Sequence, residues 1–246
     1  MSHFKIDLTS IKVGLSHQIS NFKIIITYCF MNNLKLVKPI FILTGNHNNN
    51  NELKSDLSKY YDLNNITVDG NLFKLYDDVN YSYTIKKKSY KHHLVRNDPI
   101  FQNLKKLNIV IPYKKDIIDI ANKVSLKLDE YLCIHVRRGD IITNKQIDID
   151  TQPNNIMKII NKYEPKNTYI MTNRLNELKS LSNMKNIYFY TDFSFLQEID
   201  DNYYLFCIEN NIMKFSKIRC STFNTNLNDS SQNYYHCYLT DHPGWQ

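Results

Sequence analysis

Apolar positions recur at three- and four-residue spacing through residues 18–33, where Ile19, Phe22, Ile26, Cys29 and Phe30 share one face. That period predicts a helix, with Ser16 placed to cap it. An apolar run rich in β-formers follows at residues 39–44 and predicts a buried strand. Residues 46–80 are polar and turn-rich, with weak strand patterns at 66–68 and 72–76. A strand is predicted at 108–112. The helix predicted at 114–128 carries Ile117, Ile120, Ala121, Val124 and Leu128 on one side.

From there the rhythm is regular. Residues 131–136 form a continuous apolar run with β-branched members, the signature of a strand buried on both faces. A helix is predicted at 154–163 behind Pro153, a strand at 168–172, a helix at 174–181 and a strand at 186–190. A helix at 201–214, carrying Leu205, Ile208 and Ile212, precedes a last strand at 217–221. Short apolar strands alternating with helices imply parallel βαβ units, hence an α/β protein. No period of about 20–50 residues repeats, which excludes a solenoid.

Composition narrows the classes further. The chain has 246 residues, enough for one large domain or two small ones. With 42% hydrophobic and 22% charged residues it is neither disordered, collagen-like nor a disulfide miniprotein. It holds 32 Asn against a single Ala, Ala121, so helix propensity is a weak guide and the apolar period carries the assignments. The run Asn48-Asn49-Asn50-Asn51 reads as a loop. The basic stretch spanning residues 86–93 reads as a solvated loop or helix face. A net charge of +7 is spread along the chain and permits an anionic partner. No segment reaches 18 apolar residues and residues 1–14 lack a signal-peptide core. These features predict a soluble, cytoplasmic protein without a transmembrane segment. The five cysteines are widely spaced, with no CxxC pair, and read as buried free thiols of a reducing compartment.

The chemistry concentrates in Cys133-Ile134-His135-Val136-Arg137-Arg138-Gly139-Asp140. A buried parallel strand here ends in His, two Arg and Asp, at the edge where α/β sheets bind ligands. A guanidinium presents a planar fork matched to phosphate oxygens, and Gly139 suits a tight turn or a close backbone approach. A salt-bridged surface turn uses the same letters, and spacing alone leaves both readings open. The adhesion tripeptide Arg138-Gly139-Asp140 is set aside because it follows directly on a buried strand. A nucleotide P-loop is excluded, since no GxxxxGK or GxGxxG pattern exists. Asp148 and Asp150 form an isolated Asp-x-Asp, read as loop carboxylates rather than metal ligands. His236, Cys237 and His242 have zinc-ligand chemistry without a second spaced pair.

The segment His135-Val136-Arg137-Arg138-Gly139-Asp140 resembles the HxRRxD motif of the fucosyltransferase superfamily, which includes α-1,2-, α-1,6- and protein O-fucosyltransferases. Its HVRRGD spelling is most similar to the α-1,2 branch. Gly14-Leu15-Ser16-His17-Gln18, followed by a helix and Lys38-Pro39-Ile40-Phe41-Ile42-Leu43, is similar to that family's N-terminal GG-x-x-N-Q loop, helix and strand. Tyr169-Ile170-Met171-Thr172-Asn173 fits an intervening strand. Cys220-Ser221-Thr222-Phe223 resembles the C-terminal strand and S/T-F segment that faces the nucleotide. The chain departs from the pattern at Val13, where a Gly is usual, at His17, where an Asn is usual, and at Lys217, where a carboxylate often stands beside the base-binding strand.

The resemblance implies a GT-B-like fold of two facing Rossmann-like halves with parallel sheets: residues 1–128 on the acceptor side and 129–246 on the nucleotide-sugar side. It implies inverting, metal-independent transfer of fucose from the donor substrate GDP-fucose to a glycan acceptor, with no cofactor. Arg137 would hold the diphosphate and Asp140 would orient neighbouring groups, the two forming the catalytic pair. His135, Ser221, Thr222 and Phe223 would join Arg137 in binding the donor, and His17 and Gln18 would touch substrate. Arg138 follows Arg137 on an extended chain, so it projects to the other side and suits a structural ion pair. A relative that binds nucleotide sugar or glycan without turnover is the alternative. A basic, tyrosine-rich nucleic-acid binder is a third reading that no recognition signature supports, so nucleic acid is not expected as a partner.

Overall fold

The computed structural model describes residues 3–6, 14–40, 57–77, 84–85, 106–138, 145–222 and 234–236. The chain divides into two compact units, residues 1–115 with 201–203, and residues 116–200 with 204–246.

The first unit holds β1 (His3–Ile6), α1 (Leu15–Met31), β2 (Lys35–Val37), β3 (Thr67–Val68), β4 (Asn71–Leu72), β5 (Leu75–Tyr76), β6 (Thr84–Ile85) and β7 (Ile109–Val110). Strands β5-β2-β1-β6 make a parallel sheet, and β4-β3-β7 a small antiparallel one. The predicted first helix is present, but it begins at Leu15 behind Gly14, so Ser16 lies inside it rather than capping it. Phe22, Ile26 and Cys29 are buried as the period requires, whereas Phe30 is exposed. Asn33 turns the chain through the left-handed region, at φ 52°.

The strand after α1 is Lys35–Val37, not the expected run at 39–44. Leu36 and Val37 supply its buried side chains. The Lys38 amide still donates to the Tyr76 carbonyl at 2.8 Å, but Pro39 has no N–H to continue the ladder. Residues 41–44 lie outside the described residues, as do the Asn48–Asn51 run and the basic stretch. The 66–76 region holds three short strands. Asp69 and Gly70 take positive φ, 48° and 80°, as a two-residue type I′ hairpin turn demands. The four-residue β1, with Phe4 and Ile6 buried, was not marked by the apolar pattern.

The second unit is built around one five-stranded parallel sheet. Its elements are α2 (Lys115–Leu128), β8 (Tyr131–Val136), α3 (Lys145–Asp150), α4 (Pro153–Tyr163), β9 (Asn167–Thr172), β10 (Ile187–Tyr188), α5 (Asn202–Phe215), β11 (Ile218–Ser221) and β12 (Tyr234–His236). The strand order is β10-β9-β8-β11-β12. β8 is central and all six of its residues are buried. The helix expected at 174–181 is instead a 3₁₀ turn, Leu175–Leu178, running into one helical turn at Lys179–Ser182.

The two faces of this sheet differ in chemistry. Leu132, Ile134, Val136, Ile170 and Cys220 pack with Ile156 and Ile159 of α4 in a wholly apolar layer. The opposite face carries Tyr131, Cys133, His135, Tyr169, Met171, Arg219 and Ser221, because side chains alternate along a strand and these positions are in register. It meets α2 and α5. Tyr131 Oη lies 2.8 Å from Ser125 Oγ and donates to the Ile212 carbonyl at 2.5 Å, while Tyr169 Oη donates to Glu209 Oε1 at 2.9 Å. Cys29, Cys133, Cys207 and Cys220 are buried free thiols as expected, and Cys237 lies outside the described residues. Among the described residues no helix is long and apolar enough to cross a membrane.

Burial pushes the Glu209 carboxyl up to about 8, against the opposing hydrogen bond from Tyr169. It is therefore neutral in the folded protein at pH 7. The unfolded chain releases this proton near the ordinary value of 4.5, so the folded state binds more protons between those limits and loses stability as pH rises through them. The Glu209→Gln variant keeps an acceptor for Tyr169 and removes the titration. Its unfolding midpoint, measured against the parent, should gain steadily from pH 5 to pH 8 and level off above. A constant offset across that range would show that Glu209 is not a buried neutral acid.

Candidate functional site

Parallel register assembles the site at the carboxyl edge of the second unit's sheet. Across the end of β8, His135 is paired with Met171 on one side and Ser221 on the other, and Ser221 is in turn paired with His236 of β12. Ser221 is fully buried and Thr222 nearly so. The Thr222 hydroxyl ties the two strand exits together. It accepts from the Arg137 amide at 3.3 Å and donates to the His135 carbonyl at 3.3 Å, while the Thr222 amide donates to the same carbonyl at 3.0 Å. His135, Arg137, Ser221 and Thr222 thus share one edge.

His135 is only 8% exposed and its Nδ1 is buried, with no hydrogen-bond partner among the described residues. Burial, reinforced by the positive charge of Arg137, lowers its pKa to about 4. At pH 7 the imidazole is neutral, and Arg137 is the half-buried cation of the strand end. A neutral polar ring and a guanidinium beside it form a set suited to the oxygens of a phosphorylated ligand.

Arg138 has a different task. It is 4% exposed and its guanidinium donates to three residues. Its Nε donates to Glu177 Oε2 at 2.5 Å, and Nη1 to Thr151 Oγ1 at 2.6 Å and the Asp148 carbonyl at 3.3 Å. Nη2 pairs with the Asp148 carboxylate, and the backbone amide donates to Asn173 Oδ1 at 3.4 Å. None of these partners was legible in the sequence, because they lie 10 to 39 positions away with no shared spacing. The same contacts correct the reading of Asp148 and Asp150 as loop carboxylates. Both belong to α3, whose C-terminal turn is capped by the Arg138 guanidinium, a favourable place for a cation. Two residues apart on a helix, the two acids project to different sides.

Lys217 sits at the opposite, amino edge. Its ammonium pairs with Glu130 Oε2 at 2.6 Å and its amide bonds the Tyr131 carbonyl at 3.1 Å, a full strand away from Ser221. That departure therefore does not touch the site. The shallow hollow lined by Met157, Ile160, Thr168, Met184 and Ile187 is on this amino edge as well and holds none of the motif residues. His17 and Gln18 lie in the first turn of α1 in the first unit, where Gln18 is buried. Gly139, Asp140 and Phe223 lie outside the described residues, as do Cys237 and His242.

No protein-family model matches the chain, and no curated protein sequence does. Solved structures do. NodZ α-1,6-fucosyltransferase co-crystallised with GDP superposes with a TM-score of 0.57 at 10% identity, covering 92% of this chain and 89% of that one. Fucosyltransferase NodZ from Bradyrhizobium gives a TM-score of 0.57 at 10% identity, over 92% and 90%. NodZ soaked with GDP-fucose gives 0.53 at 10% identity, over 92% and 89%. At such identity the likeness speaks for the fold. The expected α/β, GT-B-like architecture with parallel sheets is the one the chain adopts.

Proposed function

We propose that this chain is a glycosyltransferase that moves fucose from GDP-fucose to a glycan acceptor, with inversion and without a metal ion. The observation that carries the proposal is Arg137. It is a cation at the carboxyl edge of the central buried strand, beside the hydroxyl-bearing exit of β11, in a fold like that of an enzyme crystallised with GDP. The HVRRGD spelling supports an α-1,2-type linkage. The α-1,6 activity named above is that of NodZ.

In the proposed reaction an acceptor hydroxyl attacks the anomeric carbon of fucose from the face opposite the leaving group. A carbon–oxygen bond forms there as the bond to the β-phosphate oxygen breaks, and the acceptor proton passes to a base. Negative charge grows on the departing GDP. Arg137 meets that charge more strongly in the transition state than in the ground state, which is the condition for catalysis. His135, Ser221 and Thr222 line the donor site in this reading, and the resemblance assigns Phe223 to the donor as well. Asp140, two residues beyond Arg138, orients the reacting groups. The resemblance adds His17 and Gln18 as substrate contacts.

Hydrolysis of the donor needs no knowledge of the acceptor. A screen of GDP-, UDP- and CMP-sugars, run with and without EDTA, should show GDP-fucose consumed in preference and undiminished by the chelator. Consumption of a UDP-sugar instead would overturn the donor assignment. Loss of turnover in EDTA, restored by manganese, would overturn metal independence. GDP binding without any hydrolysis would identify a non-catalytic binder.

A further inference from the structure

The consecutive residues Arg137 and Arg138 are tethered to opposite neighbours of β8. The Arg137 amide is held by Thr222 at the exit of β11. Arg138 is held by the exit of β9, its amide by Asn173 and its Nε by Glu177 Oε2 at 2.5 Å. Asp148 and Thr151 grip the far end of the same guanidinium. The peptide between the two arginines is thus pulled from both sides of the sheet, which fixes where Arg137 leaves the strand. The Glu177 carboxylate also reaches a second arginine, with Oε1 3.8 Å from Arg174 Nε. It sits on the 3₁₀ turn Leu175–Leu178, whose Leu178 is anchored in the apolar layer.

We propose that Glu177 is a positioning residue for the fucosyl-transfer site: acting through Arg138, it holds the strand exit so that Arg137 is aimed at the leaving diphosphate. This role rests on the fucosyl-transfer reading. A charge-assisted bond to a nearly buried guanidinium is among the strongest a side chain makes, and a site held loosely loses rate before it loses binding. Glu177→Gln keeps an acceptor and the shape of the side chain but removes the charge.

The test is GDP-fucose hydrolysis by the full chain, read as kcat and KM separately, in Glu177→Gln, Arg137→Lys and the double variant. Glu177→Gln should lower kcat about tenfold, in line with residues that act through a neighbour, with a smaller change in KM. On the Arg137→Lys background the same substitution should have no further effect on kcat, because the group it aims is already lost. Ile159→Ala, in the apolar layer far from the motif in sequence, is the control. It should lower the unfolding midpoint and leave kcat unchanged at temperatures where the protein is folded. If Glu177→Gln leaves kcat unchanged, or lowers it by the same factor in both backgrounds, the positioning role is wrong and the transfer reading stands. If the parent protein neither binds GDP nor consumes GDP-fucose, both fall together.

Discussion

Replacing Arg137 by Lys is expected to lower turnover of GDP-fucose by roughly 10²–10³, the order lost when one preorganised transition-state donor is removed. The charge survives this substitution but the fork does not. A guanidinium presents parallel N–H groups to two phosphate oxygens, whereas an ammonium on a flexible stem is a point charge that must be ordered afresh. The half-buried position of Arg137 and the tether of its amide to Thr222 make preorganisation the property at stake. The rate is measured on protein shown to be folded by its unfolding midpoint. Near-normal turnover in a folded variant would return the motif to the salt-bridged turn that its spacing also allowed.

The second large effect is one of stability. Arg138→Met should lower the unfolding free energy by about 3 kcal/mol, at the low end for breaking a buried ion pair. The low end applies because the charge removed is the buried one. Asp148 and Glu177 remain, with 42% and 32% of their side chains exposed, and water reaches both. Arg138→Lys keeps the charge and part of the pairing. It should cost less stability, and far less turnover than Arg137→Lys. An unfolding midpoint for Arg138→Met equal to the parent's would show that the ion-pair cluster contributes nothing net.

These two arginines also show how far the sequence could be read. The strand 131–136 was legible to the residue, since six consecutive buried positions leave a continuous apolar run. Helices with a strong apolar period, 114–128 and 154–163, were placed within a residue at either end. That Arg138 suits an ion pair followed from alternation alone. Arg138's partners did not, because contacts to Asp148 and Glu177 are made by chain topology and leave no local spacing. The same cause hid α3, an Asp-rich segment whose helix is completed by a guanidinium from elsewhere. Very short strands such as β1 and β12 carry too few residues to show a period. The place of Lys217 in a motif said nothing of which edge of the sheet it occupies.

The central claim is that this edge recognises a guanosine diphosphate donor, and calorimetry of the full chain with GDP and with UDP tests it most directly. The account predicts that GDP binds more tightly than UDP and that Arg137→Lys weakens GDP binding. Equal or tighter binding of UDP would contradict it.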